Sequence, residues 1–584
     1  MTIFAGAFCS LPGQTLHGNW KQLLSQALRS RDDGLGTVDV FDNPSMVLVK
    51  WDSGAFNEGA WAASPDGNSI SALVGDPLLT KSGERLNRTE QLFQLVGRRG
   101  TLNDHALSKT RGAFSIASFC AETLTLTLAT DVIGLRSLYY TVQDGTLIFA
   151  SALRILESLD CIPRKLSETA IVESSLLGFP LADRTPYADI RVLRESQKLT
   201  IVSGSGIELE NYHDWADSGA VPASPEIAAH EIFSEFQAGI RLRLAGDCKA
   251  YAFLSGGMDS RAIVSSLASI NCKIEALNFS PDSSQDQAYA RLFSDALGPQ
   301  CHLNLLPRDD NPNFSILAFG AKKKLEARLP TGVDRPTFMW SGDGGSVGLG
   351  HVYMDEKMVT LAEDGNFAEA VQWFFKFNGL SLPAKVLAAA SRASLQQAMA
   401  ANVLSELNRY PRADAGRRWY LFLLLNDQRR HLFKHFETID QHGLEFLLPF
   451  YDVHFLKLVA NTPARWGLFH RLYALWFDQL DATARATPWQ TYPGHIPCPV
   501  PGNSQLSYQW AGRGSSIGFA DESRRADAAR LLAQSFSKSL PSMFSRWRLF
   551  WAAVLHGAGL RDCRHILTML DNLRQLRTHQ NRPS

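Results

Sequence analysis

Five mostly apolar residues, Ala250 to Leu254, break abruptly into Ser255-Gly-Gly-Met-Asp-Ser260, and a run of small and apolar residues from Arg261 to Ala268 follows. The first run fits a buried strand, the glycines end it, and the second run fits a helix. A chain that enters a helix from a strand through two glycines aims several backbone N–H groups, and the positive end of the helix, at one point. Gly256 and Gly257 carry no Cβ to keep an anion off the backbone. Phosphate is the natural occupant. The Gly-Lys-Ser/Thr ending of loops that serve γ-phosphate transfer is absent, and Ser255, Ser260 and the Asp259 carboxylate stand here instead. A carboxylate beside bound phosphates calls for a cation between them, so Mg²⁺ is expected.

The chain has 584 residues, enough for two or more domains with sizeable cores. Its 58 Lys plus Arg balance 58 Asp plus Glu, so no global field favours nucleic acid or an anionic membrane, and neither is an expected partner. No apolar run reaches membrane-spanning length, and the start has neither a basic leader nor a long hydrophobic segment. The eight cysteines form no Cys-x-x-Cys pair or metal-ligand spacing, which suits reduced thiols and a cytoplasmic location.

Up to about residue 205 the text is β-rich. Gly112–Phe119 and Thr123–Ala129 alternate with period two, and Asp144-Gly145 separates Leu138–Val142 from Thr146–Ala150 as a hairpin turn does. Ile3-Phe-Ala-Gly-Ala-Phe8, Gly112-Ala-Phe-Ser-Ile-Ala117, the stretch Ala129–Tyr140 and Ile148-Phe-Ala-Ser151, in that order, resemble the N-terminal glutaminase domain of asparagine synthetases. In that family a cysteine follows the initiator methionine and attacks glutamine; here the position is Thr2. A threonine beside a free terminal amine can act as a nucleophile. The family's His-Arg-Gly-Pro-Asp stretch has no match, however, and Ala72–Leu78 stands where a glutamine-orienting segment belongs. A glutaminase-shaped domain without glutaminase activity is expected, with Cys9 as a structural thiol.

The resemblance continues beyond it. Ser255-Gly-Gly-Met-Asp-Ser260 resembles the pyrophosphate loop of the ATP pyrophosphatase superfamily, in which ATP is cleaved between its α- and β-phosphates. A second strand, Ile274–Phe279, a helix, Gln285–Leu297, and a third strand, Cys301–Leu306, imply a parallel sheet with ligands at its C-terminal end. Asp286 falls at such an end; it is either a contact of ATP or its Mg²⁺, or an ordinary acidic residue of a helix's first turn. Ser341-Gly-Asp-Gly-Gly-Ser346 resembles the family's second signature, placing Asp343 at its glutamate and Ser346 at an aspartate that helps hold Mg²⁺. Asp355 is a further candidate to replace that aspartate. Pro449, Phe450 and Asp452 match a third segment, with Leu447 in place of its arginine. The family's lysine after that segment is missing; Arg465, His470 or Arg471 could supply its charge. Arg429, Arg430, His431, Lys434 and His435 either grip an acidic group or form a solvated helix face. The proline-rich Trp489–Pro501 either lines an acceptor site or connects helices.

The expected fold is α/β: an N-terminal glutaminase-like (Ntn-type) β-rich sandwich domain over 1–202, a linker over 203–225, an ATP pyrophosphatase (PP-loop) parallel-sheet synthetase domain over 226–520 and a helical C-terminal extension over 521–584. The resemblance implies ATP and Mg²⁺ as cofactors. It implies Leu254, Ser255, Gly256, Gly257, Asp259, Ser260, Ser341, Gly342 and Gly344 as contacts of ATP and its pyrophosphate, Asp259 and Asp286 as metal ligands, and Asp343 and Asp259 as catalytic residues. The expected reaction is amide formation through an acyl-adenylate. With no ammonia from the front domain the amine comes with the substrate, as in the cyclases that close the macrolactam ring of lasso peptides. A precursor peptide is then the substrate and a leader peptidase a partner. The alternatives are an enzyme using ammonia on aspartate or another small carboxylate, and a nucleotide-binding scaffold.

Overall fold

The computed structural model describes residues 2–570 except 17, 29–35, 57–58, 218, 307–319, 321–337, 381–385, 438–443, 509–520, 538–539, 541–543, 562, 564–565 and 568–569. The chain divides into two compact units. The first holds residues 1–162, 192–355 and 423–510; the second holds 163–191, 356–422 and 511–584. These units are drawn differently from the sequence segments above, because helices from three separate stretches of chain share one core in the second unit.

The first unit begins with a sandwich of two antiparallel sheets. In one sheet Tyr139–Gln143, Thr146–Ala150, Thr2–Cys9, Met46–Asp52 and Thr37–Asn43 lie side by side in that order, with the short strand Arg191–Val192 next to Tyr139–Gln143. The other runs from Ile207–Asn211 through Gln197–Val202, Thr125–Thr130, Phe114–Cys120 and Ser69–Gly75 to Trp61–Ala63. Phe4, Phe8, Met46, Leu48, Val74, Phe119, Leu128 and Phe149 interdigitate between the sheets. The Asp144-Gly145 hairpin forms as expected, with φ of 46° and 74°; two consecutive left-handed residues match the twist of the strands they join. Residues 203–225 are not plain linker, since Ile207–Asn211 pairs with Gln197–Val202.

Helix Pro225–Leu244, capped by Ser224, leads into a five-stranded parallel sheet. Its spatial order is Cys301–Leu305, Lys273–Asn278, Lys249–Phe253, Phe338–Trp340, Glu445–Leu447. The first strand in sequence, Lys249–Phe253, therefore lies in the middle, and the direction of winding reverses between it and Phe338–Trp340. Chains leaving two such strands diverge to opposite sides, which opens a crevice at their C-terminal ends. Both glycine-rich loops emerge there.

Within this unit, the sandwich and the synthetase part are joined by buried ion pairs. Asp452, fully buried, accepts from Arg111 Nε at 3.0 Å and Nη2 at 2.9 Å, and from Arg243 Nη1 at 2.7 Å. The same carboxylate caps helix Val453–Ala460 through His454 N and Phe455 N. Burial pushes the Asp452 carboxyl up, but Arg243 and Arg111 outweigh it and hold it below the usual carboxylate range. Arg429 bonds Glu195 at 3.1 Å, and Arg136 pairs with Glu445. Glu437 accepts from Leu153 N and Arg154 N, and burial pushes its carboxyl up to about 7.

The second unit is helical. Helices Glu168–Leu177 and Arg546–Gly557 bury Ile171, Val172, Leu549 and Ala553 in its core. Glu173, fully buried, accepts from Arg184 Nε at 2.8 Å and Asn402 Nδ2 at 2.8 Å.

Candidate active site

The crevice at the reversal point is a cavity of about 890 Å³. The short loop after strand Lys249–Phe253 folds on its own hydroxyls: Ser260 Oγ accepts from Ser255 N at 2.9 Å, and Ser255 Oγ accepts from Gly257 N at 3.2 Å. Helix Met258–Ser269 then starts at Gly257 without a side-chain cap, so its first N–H groups have no side chain closing them off. The expected strand, turn and helix are all present.

The second loop, after strand Phe338–Trp340, lies directly against the first. A Cβ on Gly342 would stand 2.6 Å from Ser260 N, and one on Gly345 would stand 2.7 Å from Asp259 Cγ. Hydrogen at Gly342 lets the backbones meet, and at Gly345 it makes room for the Asp259 carboxylate. Asp343 carries Ser341 Oγ on its Oδ2 at 2.8 Å, and His435 Nε2 lies 3.6 Å from the same oxygen. Leu254, Ser255, Gly257, Asp259, Ser260, Asp286, Ser341, Gly342, Asp343 and Gly344 all line the cavity. Gly256 sits just behind it, its N–H donating to Asp286 Oδ1 at 2.9 Å. Asp355 is not among the residues lining it.

Asp259 is half-buried and held by three donors. Tyr473 Oη donates to its Oδ1 at 2.6 Å, Ser346 Oγ donates to the same oxygen at 3.0 Å, and Ser346 N donates to Oδ2 at 2.9 Å. Burial raises the Asp259 carboxyl above its ordinary range, against the pull of those donors. Ser346, which stands at an expected metal aspartate, thus serves as a donor to Asp259. Asp286 accepts from Gly256 N, from Gln490 Nε2 at 3.0 Å, and on Oδ2 from Ser280 Oγ.

Several expected roles change. His470 is buried, and burial together with His495 and His351 pushes it down to about 3, so it is neutral and supplies no positive charge. Arg471 is exposed, and neither it nor Arg465 lines the cavity. The run from Arg429 is not a solvated face: Arg429, Arg430 and His435 are buried, and only His431 among these four is exposed. Trp489, Gln490, Thr491, Tyr492 and Ile496 form one wall, so the proline-rich segment does more than connect helices. Arg261 anchors it through Thr487 O at 2.5 Å and Pro488 O at 2.8 Å.

The buried histidines make a prediction about stability. His351 is pushed down by burial to about 4 and His470 to about 3, from 6.5. A histidine whose folded value is depressed binds its proton mainly when unfolded. Its contribution is complete above pH 6.5 and is lost as pH falls toward the folded value. Between pH 6.5 and 5 that is up to ~2 kcal/mol for each. Denaturant titrations of the native chain and His351→Gln should diverge less at pH 5 than at pH 7; a pH-independent difference would exclude the effect.

Two families match this chain: the glutamine amidotransferase domain over residues 82–213, and asparagine synthase over residues 231–313. Residues 82–213 and 231–313 are thus similar to the two parts of glutamine-dependent asparagine synthetases. The chain is 24% identical over 189 residues to asparagine synthetase (glutamine-hydrolyzing) 3 of Bacillus subtilis, an overlap covering 32% of this chain and 30% of that one. It is 25% identical over 265 residues to amidase chyE of Penicillium rubens, covering 40% and 39%. The matches thus span well under half of these relatives' lengths. A solved structure of glutamine phosphoribosylpyrophosphate amidotransferase from B. subtilis aligns with 52% of this chain and 81% of its own, at 12% identity and a TM-score of 0.24, too loose a superposition to carry an argument.

The asparagine synthase match takes in Asp259 and Asp286 but ends before Ser341–Gly344, so the second loop joins the site through the fold. Tyr473 had no local signal: only the tertiary structure brings its hydroxyl to Asp259. At the front domain, Thr2 is fully buried, registered opposite Asp52, and its hydroxyl accepts from Gly75 N at 3.1 Å. Lys50 and Asp52 pair beside it at 3.2 Å. Cys9 is buried at the far end of the same strand. Among the described residues, no helix is long and apolar enough to cross a membrane.

Proposed function

We propose that this chain is an ATP-dependent amide ligase that forms an acyl-adenylate, and that it closes the macrolactam ring of a lasso peptide. The observation that carries the ligase reading is the meeting of the loops Ser255–Ser260 and Ser341–Gly344, backbone against backbone, at the reversal point of a parallel sheet. An uncapped helix start and two glycines suit a phosphate. Asp259 and Asp286 fit a Mg²⁺ ion, since the Oδ2 atom of each has one protein donor and keeps a further lone pair. Bound there, Mg²⁺ would supply charge stabilisation to phosphoryl oxygens.

In the first step a substrate carboxylate oxygen attacks the α-phosphorus, the α–β bond breaks, and pyrophosphate leaves. The helix start and loop N–H groups face the oxygens that gain charge. In the second step an amine nitrogen attacks the acyl carbon and AMP leaves; Asp343 is placed to take the proton released by nitrogen. Trp489, Tyr492 and Tyr508 wall the cavity and keep water from the adenylate.

The peptide reading rests on the front domain. With Thr2 buried and hydrogen-bonded into its sheet, the domain yields no ammonia, and the amine arrives on the substrate. A precursor peptide cut by a leader peptidase of the same pathway supplies both the N-terminal amine and an Asp or Glu side chain. The name of the bacterial relative, an asparagine synthetase, favours a second reading in which the acceptor is a small carboxylate such as aspartate and the nitrogen is ammonia.

Incubation with labelled ATP separates these. The ligase reading expects AMP and pyrophosphate, and peptide-dependent exchange of pyrophosphate into ATP, with the peptide losing one water. ADP as the product would reject the ligase; aspartate-dependent rather than peptide-dependent exchange would reject the cyclase; no turnover with any acceptor would leave a scaffold. Thr2→Ala should leave the peptide reaction unchanged.

A further inference from the structure

We propose that Asp343, His431 and His435 bind one divalent transition-metal ion, at a position distinct from the carboxylates Asp259 and Asp286. His431 and His435 stand four residues apart on helix Arg429–Glu437, a spacing that sets two imidazoles on one face. Asp343 approaches that face from the loop after strand Phe338–Trp340. One ligand atom from each of the three lies within 4.8 Å of the others, and the His435 Nε2 to Asp343 Oδ2 separation is 3.6 Å. Ligands bound at ~2.0–2.1 Å around a tetrahedral ion stand roughly 3.3 Å apart. His435 and Asp343 are therefore nearly in place, and His431, exposed to the cavity, has the freedom to complete the set.

The donor set chooses the class of ion. Two imidazole nitrogens and one carboxylate suit Zn²⁺, Mn²⁺ or Fe²⁺, whereas Mg²⁺ and Ca²⁺ favour all-oxygen shells. Three protein ligands leave a position open, and Asp343 and His431 both face the cavity, so that position points at whatever the cavity holds. The supporting contacts suit a ligand set. Ser341 Oγ orients Asp343, and the His435 ring packs 5.0 Å from that of Phe446.

A second observation asks for a cation here. Four carboxylates, Asp259, Asp286, Asp343 and Asp427, line the cavity, and among the described residues lining it there is no lysine or arginine. An anionic ligand can occupy such a space only if positive charge enters with it or ahead of it. A metal at Asp343, His431 and His435 provides that charge within the same cavity. Asp343 can hold the ion with one oxygen and face an amine with the other.

The site does not depend on the ligase reading, because it is tested without ATP. The full chain, stripped with chelator and dialysed against limiting Zn²⁺, should retain one ion per chain and keep it in millimolar Mg²⁺. Co²⁺ in its place should give visible absorption bands. His431→Ala, a change at an exposed position that leaves the core intact, should weaken retention at least ~100-fold, beyond the loss typical of a supporting residue. His431→Ala/His435→Gln should abolish the cobalt bands, and Asp259→Asn should leave them. Loss of the ion to Mg²⁺, unchanged retention in His431→Ala, or absence of stoichiometric Zn²⁺ in the native chain would each overturn the proposal.

Discussion

Replacing Asp452 by alanine is expected to destabilise the protein by about 3–5 kcal/mol, the usual cost of removing one partner from a buried ion pair. The carboxylate is fully buried, accepts three bonds from Arg111 Nε and Nη2 and Arg243 Nη1, and caps helix Val453–Ala460. Arg111 keeps a second partner in Glu235 at 2.7 Å, and Arg243, itself buried, also donates to Gly239 O at 3.1 Å. Losing Asp452 takes a carboxylate from Arg243 in a place where burial already lowers its pKa. Asp452→Asn retains an oxygen for the helix cap and should recover ~1 kcal/mol. Denaturant unfolding of the three proteins measures this. A loss below ~1 kcal/mol in the alanine variant would mean that the arginines find water or other partners, and that the pair does not join the sandwich to the synthetase part.

Asp259→Asn is expected to lower AMP formation by about 10²- to 10³-fold, in the range seen when a preorganised electrostatic group is lost. The same substitution should leave stability unchanged or raise it. Burial already raises the Asp259 carboxyl, so a neutral side chain of the same shape removes the cost of holding a charge there, while Oδ1 can still accept from Tyr473. The opposite signs are informative. A variant that lost activity and stability together would make Asp259 a structural acceptor for Tyr473 and Ser346, and one that kept its activity would remove Asp259 from the reaction. Single-turnover AMP release and a thermal melt on the same preparation decide between them.

What could be read along the chain was chemistry acting between near neighbours. Period-two alternation marked Phe114–Cys120 and Thr125–Thr130, and Asp144-Gly145 marked a hairpin, because pleat geometry and left-handed φ act within a few residues. The loop Ser255–Ser260 was legible for the same reason: it satisfies its own hydroxyls and opens its own helix. Ser341–Gly344 was recognisable as a second glycine turn, although its seat against Ser260 was not. The basic run from Arg429 leaves two readings open along the chain, because charge along a helix does not say that Glu195 waits to pair with Arg429 or that Asp343 waits beside His435.

Residue order alone was enough for a β-rich front part, a parallel sheet after it and the phosphate-suited turn at that sheet's centre, since each follows from torsion preferences and polarity over short spans; the sandwich came with the family resemblance. Long-range packing settled the rest. Tyr473 meets Asp259 across 214 positions, Gln490 meets Asp286 across 204, and Arg111 meets Asp452 across 341. Contacts of that separation carry no local pattern; they exist only once the sheet has reversed its winding and the buried charges have taken the partners that burial obliges them to find.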